Sequence, residues 1–348
     1  MPNTSHTENE ILSQPEAWAQ ALDTVSNQSG ALNELFQRNY EQIIFTGCGS
    51  TYYLSIAAAA LYRSLTGQPA QAAPAGDLLL NPGVYLSQRA RTLLVAVSRS
   101  GATTETLRAI ERFRSLTRGA VLAITNYGQS PMAAQGDLAL VIPKGQEQSA
   151  AQTRSFASMY VAACGVCSLA AGQPELLDAL RRLPETGQRL MTQFGLAARV
   201  VGADLDIARI YYLGSGLLYG LACEVNLKMK EMTLTDSEPF HFLEFRHGPM
   251  SMVTPQTLLI GLLSEANLRH ERQVLDEMAL LGGRIFSLGE TSADVSFESR
   301  LPEALRGVLY LPALQLMALE RAYAKGLDPD HPAHLTPVIH LDTLEGDA

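Results

Sequence analysis

The sequence is poor in cysteine and in long apolar runs, and each shortage excludes a class of protein. Four cysteines in 348 residues are too few for a disulfide-held scaffold. The apolar stretch 156–172 contains Ser, Gly and Cys and falls short of the ~20 strongly apolar residues of a membrane span. The first 30 residues lack the basic and apolar segments of a targeting signal. We therefore expect a soluble cytoplasmic protein with no membrane partner.

Positive charge is also scarce. The chain has 26 Lys and Arg against 35 Asp and Glu, a net charge of −9. An acidic surface is a poor match for the phosphate backbone of DNA or RNA, so we predict no nucleic-acid partner. A local site for a small anion remains compatible with this balance. With 47% hydrophobic residues the chain can bury a large core, and its length predicts about two domains.

What the chain does contain is an alternation of short apolar strands with helices. The pattern predicts an N-terminal helix over 11–25, helices over 50–67, 103–117 and the apolar 156–172, and strands over 43–50, 92–101, 120–125 and 138–143. Strands and helices that alternate at this spacing predict an α/β fold with parallel sheets covered on both faces.

The strand–turn–helix series occurs twice. Gly47 and Gly49 recur as Gly214 and Gly216, 167 positions later, and the strand from residue 92 recurs from residue 257, 165 positions later. We therefore predict an N-terminal helical segment (1–29), two similar α/β domains (30–180 and 195–345) and a helical linker (172–190). Only the first half keeps a hydroxyl-rich turn, which predicts one ligand site for the pair of halves.

That turn, residues 98–104, is the first candidate site. It offers the hydroxyls of Ser98, Ser100, Thr103 and Thr104 at the end of a predicted strand, with Gly101 allowing close backbone approach. Backbone N–H groups at the start of the following helix suit a phosphate without any lysine. Ordinary helix capping, worth ~1 kcal/mol, explains the same residues. The turn 47–51 is a second candidate, but it lacks the third glycine of a dinucleotide-binding motif.

The helix after Gly216 carries the second candidate. Glu224, Lys228 and Glu231 are spaced so that they share one face, among apolar neighbours. A carboxylate beside an ammonium in a partly dry site is suited to general acid–base chemistry. A solvated ion pair on an exposed face is the structural alternative.

The segment 238–253 mixes titratable and aromatic residues, with His247 in a rigid His-Gly-Pro turn. His241 and His247 are six positions apart and lack the spacing of metal ligands, so we predict no metal. The pair Cys164 and Cys167 lies in an apolar helix and is expected to be core. No phosphate-binding lysine motif or nucleophilic serine elbow occurs, and no cofactor is predicted.

Five motifs together resemble one family. The motifs cover nearly the whole chain in order: CGSTY (48–52), SRSGATTET (98–106), EVNLKMKE (224–231), FRHGP (245–249) and GLDPDHPAHLT (326–336). In these motifs the sequence is similar to the sugar isomerase (SIS) domain proteins, above all to the isomerase half of the glutamine–fructose-6-phosphate aminotransferases and to stand-alone aminosugar-phosphate isomerases and deaminases. The resemblance implies two SIS-type α/β sandwich domains per chain, as the duplication predicts.

The resemblance also implies roles for individual residues. Glu231 corresponds to the base that moves a proton between C1 and C2 of the open-chain sugar, Lys228 lies beside it, and Glu224 is a carboxylate on the same helix. His247 corresponds to a ring-opening histidine that reaches in from a neighbouring subunit, which implies a homodimer with a shared active site. The phosphate of the sugar is expected on a separate set of residues: Thr51, Ser98, Arg99, Ser100 and Thr103. Arg99 stands where the aminotransferases usually have Gln.

Two departures from the family narrow the expected function. The aminotransferases begin with a glutaminase half whose cysteine nucleophile follows the initiator Met, whereas this chain has Pro2 and is expected to lack glutaminase activity. The lysine that forms an imine with the sugar in the family corresponds to Pro337. His331 and His334 of the same tail are weaker candidates, with solvent exposure as the plainer expectation.

The sequence therefore predicts an enzyme. The leading expectation is an aldose–ketose isomerase or deaminase acting on an aminosugar 6-phosphate, with glucosamine 6-phosphate converted to fructose 6-phosphate and ammonia. The alternatives are a deglycase of phosphorylated sugar–amino-acid adducts, which needs the same proton transfer, and a non-catalytic sugar-phosphate-binding regulator, which needs only the polar turn.

Overall fold

The first half of the protein is built on one parallel sheet. A computed structural model describes residues 5–87 and 89–336. The first five strands pair in the order β2-β1-β3-β4-β5, all in parallel. Strands β1, β3 and β4 are almost wholly buried because helices cover both faces of the sheet. The strand bounds are β1 (Gln42–Gly47), β2 (Ala70–Pro74), β3 (Thr92–Val97), β4 (Ala120–Thr125) and β5 (Leu138–Val141).

The second half repeats this sheet. Its strands pair in the order β7-β6-β8-β9-β10, which is the order of the first sheet with every number raised by five, and again all are parallel. The predicted two-domain α/β architecture is thereby confirmed. The strand bounds are β6 (Arg209–Gly214), β7 (Asp236–Phe240), β8 (Thr257–Leu262), β9 (Arg284–Gly289) and β10 (Val295–Ser296).

The backbone of the two halves agrees in detail after the first strand of each sheet. Gly49 has φ 54° and ψ −122°, and Gly216 has φ 57° and ψ −125°. Both glycines precede the first residue of a helix, in a left-handed region that side chains rarely adopt. The repeated glycines of the sequence therefore mark the same strand–turn–helix geometry twice.

Helices surround and join the two sheets. The predicted N-terminal helix and the apolar helix over 156–172 are confirmed as α1 and α8, and the single tryptophan, Trp18, is fully buried in α1. Gly187 of α10 packs so tightly on Trp18 that an added Cβ would lie 2.2 Å from the indole ring. The helices are α1 (His6–Asn27), α2 (Ser29–Phe36), α3 (Ser50–Thr66), α4 (Ala75–Leu80), α5 (Pro82–Tyr85), α6 (Thr104–Leu116), α7 (Pro131–Gln135), α8 (Arg154–Ala170), α9 (Pro174–Leu180), α10 (Leu183–Ala203), α11 (Leu217–Thr233), α12 (Leu268–Leu280) and α13 (Leu311–Ala324).

The segment between the sheets is more regular than the predicted linker. Residues 172–190 contain α9 and the start of α10, and α10 continues without a break to Ala203. The proposed start of the second domain at residue 195 therefore falls inside a helix. Residues 337–345 of that domain lie outside the described residues, so its limits stay a prediction.

Three edge strands were missed by the sequence analysis: β10, which has only two residues, and the longer β2 and β7. β2 is rich in alanine, and β7 contains Pro239, so neither has the β-branched pattern of a buried strand. Both lie at the edge of their sheets, where a strand needs partners on one side only and proline is tolerated.

Candidate functional site

A cavity of about 130 Å³ lies at the carboxyl ends of β1 and β3. These two strands are neighbours in the sheet, yet the chain passes from β1 first to β2 on the other side. Such a reversal point is where open α/β sheets bind ligands. The lining residues come from both halves of the protein and from the tail: Cys48, Gly49, Ser50, Arg99, Thr103, Glu105, Ala150, Gln152, Lys228, Glu231, Leu335 and Thr336.

Two residues of the predicted phosphate-binding turn, Arg99 and Thr103, line the cavity, whereas Ser98 and Ser100 lie behind them and are not among the lining residues. Ser98 Oγ lies 3.3 Å from Thr103 Oγ1 and accepts a hydrogen bond from the Gly101 N–H at 3.1 Å. Ser100 Oγ accepts from the Ala102 N–H at 3.2 Å. Gly101 has φ +61°. The turn thus gathers hydroxyls and the amino end of α6 at one point, an arrangement suited to an anion.

Arg99 is held in the wall by the loop that precedes α8. Its Nη1 donates to the carbonyl oxygens of Ser149 (3.2 Å) and Ala150 (3.0 Å) and lies 3.5 Å from Glu147 Oε2. Arg99 is 7% exposed and the Glu147 side chain is fully buried. Glu147 also accepts hydrogen bonds from Thr153 at the start of α8. Arg99 therefore fixes the 147–150 loop against the polar turn, in addition to facing the cavity.

Thr51 is placed differently from the prediction. Its hydroxyl accepts from the Cys48 N–H and donates to the Cys48 carbonyl, both at 2.9 Å. The Thr51 side chain therefore closes its own turn and is not among the cavity-lining residues, because the first turn of α3 points it back toward β1. The neighbouring Ser50 lines the cavity instead.

Three of the charged residues of α11, Glu224, Lys228 and Glu231, form one buried cluster, as their spacing predicts. Lys228 Nζ donates hydrogen bonds to Glu231 Oε2 and, at 3.1 Å, to Ser50 Oγ. It also lies 3.5 Å from Glu224 Oε1. Lys228 and Glu224 are almost completely buried, whereas Glu231 keeps 16% of its side chain exposed and lines the cavity. This geometry argues against a solvated ion pair on an exposed face.

Burial and charge act against each other in this cluster. Burial raises the pKa of Glu224 to about 8, although the Lys228 ammonium acts in the opposite direction. Burial alone would lower the pKa of Lys228, but the two carboxylates outweigh it and raise that pKa above its ordinary value. Lys228 is therefore a fixed cation at neutral pH, and it faces a carboxylate at the cavity wall.

Close helix packing brings the two halves together here. An added Cβ on Gly220 of α11 would lie 2.6 Å from the Ala57 nitrogen and 2.7 Å from the Tyr53 oxygen of α3. The helices run in opposite directions, so Ser50 at the start of α3 meets Lys228 in the second half of α11. A glycine at this crossing lets the backbones approach closely and places Ser50, at the start of α3, against the charged cluster.

His247 lies outside the cavity. It is exposed and follows a short 3₁₀ helix (Glu244–Arg246), and Gly248 with φ 126° turns the chain directly after it. His241 stacks on Tyr219 with ring centroids 3.8 Å apart, and burial lowers its pKa. Neither histidine is among the residues that line the cavity.

In the tail, His331 is exposed and its Nδ1 lies 3.0 Å from Asp328 Oδ2. His334 is exposed as well, and Pro337 lies outside the described residues. Leu335 and Thr336, which the sequence analysis did not single out, reach the cavity wall. Glu105, Ala150 and Gln152 were missed in the same way, since no charge spacing or glycine pattern distinguishes them from surface residues.

The corresponding turn of the second half holds a carboxylate of its own. Glu271 of α12, which is 1% exposed, accepts hydrogen bonds from the Ser264 N–H at 2.7 Å and from the Ser264 hydroxyl at 3.0 Å. Ser264 lies two positions after the end of β8, in the turn that corresponds to the one directly after β3. An internal anion thus satisfies the donors at this turn.

A larger surface depression of about 560 Å³ opens at the other end of β3, with Arg89, Arg91, Arg114 and Arg118 among its lining residues. All four arginines are exposed, and Arg114 pairs with Asp137 at 3.2 Å. It lies at the amino ends of the strands, away from the turns and the charged cluster, and we do not assign chemistry to it.

The sequence comparisons agree with the architecture. The SIS domain family model matches residues 35–164 and 205–294, so the chain belongs to the SIS domain family. Over 344 residues it is 26% identical to the glutamine–fructose-6-phosphate aminotransferase [isomerizing] of Methanothermobacter thermautotrophicus, covering 96% of this chain and 57% of the relative. The corresponding protein of Pseudomonas putida is 28% identical over 85% of this chain and 51% of its own length. The chain thus spans about half the length of these curated relatives.

Solved structures match over nearly the full length. Tagatose-6-phosphate ketose/aldose isomerase from Escherichia coli superposes with a TM-score of 0.86 at 26% identity, covering 98% of this chain and 97% of that one. Glucosamine-6-phosphate deaminase from Thermotoga maritima superposes with a TM-score of 0.78 at 25% identity, covering 92% and 100%.

Within residues 5–87 and 89–336, no helix has the length and apolar character needed to span a bilayer. The same residues contain no cluster of three or more His, Cys, Asp or Glu side chains placed to hold a metal ion.

Proposed function

We propose that the protein is a sugar-phosphate isomerase that acts on an aminosugar 6-phosphate. One observation carries the proposal: the cavity is lined both by Arg99 and Thr103 of the hydroxyl-rich turn and by the Lys228–Glu231 pair of α11. The solved structures similar to this protein include a tagatose-6-phosphate ketose/aldose isomerase and a glucosamine-6-phosphate deaminase. A regulator that only bound the sugar phosphate would have no use for a buried acid–base pair at the cavity wall.

The two groups of residues have separate tasks in the proposed reaction. The Ser98–Thr103 turn holds the phosphate, and this remote contact orients the reacting carbons. The Glu231 carboxylate removes the proton from C2 of the open-chain sugar and returns it to C1. Lys228 stabilises the negative charge that develops on the intermediate. With an amino group on C2, a proton also passes from the nitrogen to O1, which gives a C2 imine with a hydroxyl on C1. Water then adds to C2, and ammonia leaves as the C2 ketone forms.

Glucosamine 6-phosphate is the leading substrate, with water as co-substrate and fructose 6-phosphate and ammonia as products. The test is a panel of hexose and 2-aminohexose 6-phosphates, assayed for ketose formation and for ammonia release. Turnover of an aminohexose phosphate with stoichiometric ammonia supports the deaminase. Ketose without ammonia indicates a simple isomerase, and no turnover of any member removes the proposal.

The role of the polar turn is tested by Ser100→Ala combined with Thr103→Ala. We expect this variant to bind hexose 6-phosphates at least ~10-fold more weakly, because hydrogen bonds to a charged group contribute ~1.5–3 kcal/mol each. Affinity for the unphosphorylated sugars, measured by calorimetry, should not change. Equal losses for both kinds of sugar would show that the turn is only structural.

We further propose that the site is completed by His247 of a second subunit. His247 is exposed and off the cavity wall within its own chain, so a contribution to sugar-ring opening requires another copy. Mixing inactive Glu231→Gln and His247→Ala variants and allowing the subunits to exchange should restore part of the activity, because some mixed dimers then contain one intact site. Mass spectrometry verifies that mixed dimers have formed. A mixture that stays inactive although mixed dimers are present would contradict the shared site.

A further inference from the structure

Within the part of the chain that the structure describes, two oxygen atoms of the cavity-lining residues have no hydrogen-bond partner. One is Oε2 of Glu105, in the first turn of α6, and the other is Oε1 of Gln152, in the loop before α8. Both atoms are buried although their residues border the cavity. The two residues come from different segments of the first half: Glu105 follows the polar turn, and Gln152 follows the 147–150 loop.

A buried acceptor without a partner is unfavourable by ~1–3 kcal/mol, and more than nine in ten such groups in proteins have a partner. Helix capping does not explain Glu105. An acidic residue in the first turn stabilises a helix by ~0.3–1 kcal/mol while exposed to solvent, and it gains nothing from a buried, unpaired oxygen. These two acceptors differ from the other unpartnered buried atoms of the described chain because their residues line the cavity, where a ligand can supply the missing donors.

The polarity of these atoms identifies the part of the ligand they contact. The Ser98–Thr103 turn, Arg99 and Lys228 supply donors, which suit a phosphate and a developing oxyanion. Glu105 presents a carboxylate, which repels phosphate, and the Gln152 oxygen only accepts. Groups that donate to them are the hydroxyls of a sugar chain or its ammonium group, and a carboxylate binds an ammonium more strongly than a hydroxyl.

We propose that Glu105 and Gln152 are specificity-determining residues that accept hydrogen bonds from the sugar, with Glu105 selecting an ammonium substituent over a hydroxyl. This inference rests on the proposed function, because it takes the ligand to be a sugar phosphate. It goes beyond that function by assigning the choice between amino and hydroxy substrates to a residue outside the acid–base cluster.

The test uses two open-chain ligands that cannot react: glucitol 6-phosphate and 2-amino-2-deoxyglucitol 6-phosphate. Calorimetry on the full chain is expected to show tighter binding of the amino ligand. Glu105→Gln should reduce that preference at least ~10-fold, since it removes the charge and keeps an acceptor. Glu105→Ala and Gln152→Ala should weaken both ligands, and none of the three should alter the affinity for inorganic phosphate.

Glu111→Ala is the matched control, an exposed glutamate on the same helix, and thermal melts verify that each variant folds. Unchanged affinities in Glu105→Ala, or an amino preference that survives in Glu105→Gln, would overturn the assignment of Glu105. Equal losses for inorganic phosphate would overturn it as well, because the residue would then support the turn. If the wild-type protein binds neither hexitol phosphate, the proposed function itself fails, an outcome distinct from binding that the variants do not change.

Discussion

Glu231→Gln is expected to lower kcat by roughly 10²- to 10⁴-fold, the usual contribution of a general base. The substitution keeps the shape and one hydrogen bond to Lys228 but removes the basic carboxylate that would take the C2 proton. Glu231 is not part of the phosphate-binding turn, so the affinity for a hexitol 6-phosphate should change little. Steady-state kinetics together with calorimetry would separate the two effects.

Lys230→Gln on the same helix is the control for this experiment. Lys230 is exposed, and its replacement alters the charge of α11 without touching the cavity. We expect near wild-type kinetics from it. If Glu231→Gln retained full turnover, the proton would have to move through another group, and the assignment of Glu231 would be wrong.

The second large effect concerns stability. Lys228→Met should cost about 3–5 kcal/mol of unfolding free energy at pH 9, because it leaves the buried Glu224 carboxylate beside Glu231 with no cation. The loss should be smaller at pH 5, where Glu224 can take up a proton. Urea unfolding at both pH values measures the difference.

The direction of this pH dependence follows from Glu224. Its pKa lies at about 8 in the folded protein, above the ordinary 4.5, so the folded state binds more protons than the unfolded state between these values. The contribution of Glu224 to stability therefore falls as the pH rises from about 4.5 to about 8. In Lys228→Met this decrease in stability should continue to a higher pH, because the cation that lowers the pKa of Glu224 is gone.

A double variant serves as the internal check. Lys228→Met combined with Glu224→Gln removes the cation and the most deeply buried carboxylate together, and it should recover most of the lost stability. A double variant no more stable than Lys228→Met would mean that packing of the lysine stem, and not its charge, matters at this position.

Much of the fold could be predicted because the sequence repeats it. The apolar strands β1, β3, β4 and their counterparts have the composition of buried parallel strands, and the paired glycines mark where each turns into a helix. The edge strands β2 and β7 escaped prediction because an edge position requires neither β-branched residues nor a free N–H at every residue.

The site was predictable where spacing along one helix determines it, and not where tertiary contacts do. Glu224, Lys228 and Glu231 share a face by helical geometry alone. That Thr51 turns away while Ser50 faces the cavity depends on the orientation of the first turn of α3. The engagement of Arg99 with the loop at Glu147 depends on a contact between residues far apart in sequence, which no local pattern reveals.

Glu271 has a consequence for how many ligands one chain can hold. The two halves share strand order and glycine geometry, so duplication alone would give each subunit two equivalent acceptors for a phosphorylated molecule. In the second half, the Glu271 carboxylate permanently occupies the Ser264 donors, and a dianion arriving there would meet a negative charge. The two halves therefore differ in the chemistry of this turn and not in their fold. We expect a single equivalent of sugar phosphate to saturate each polypeptide.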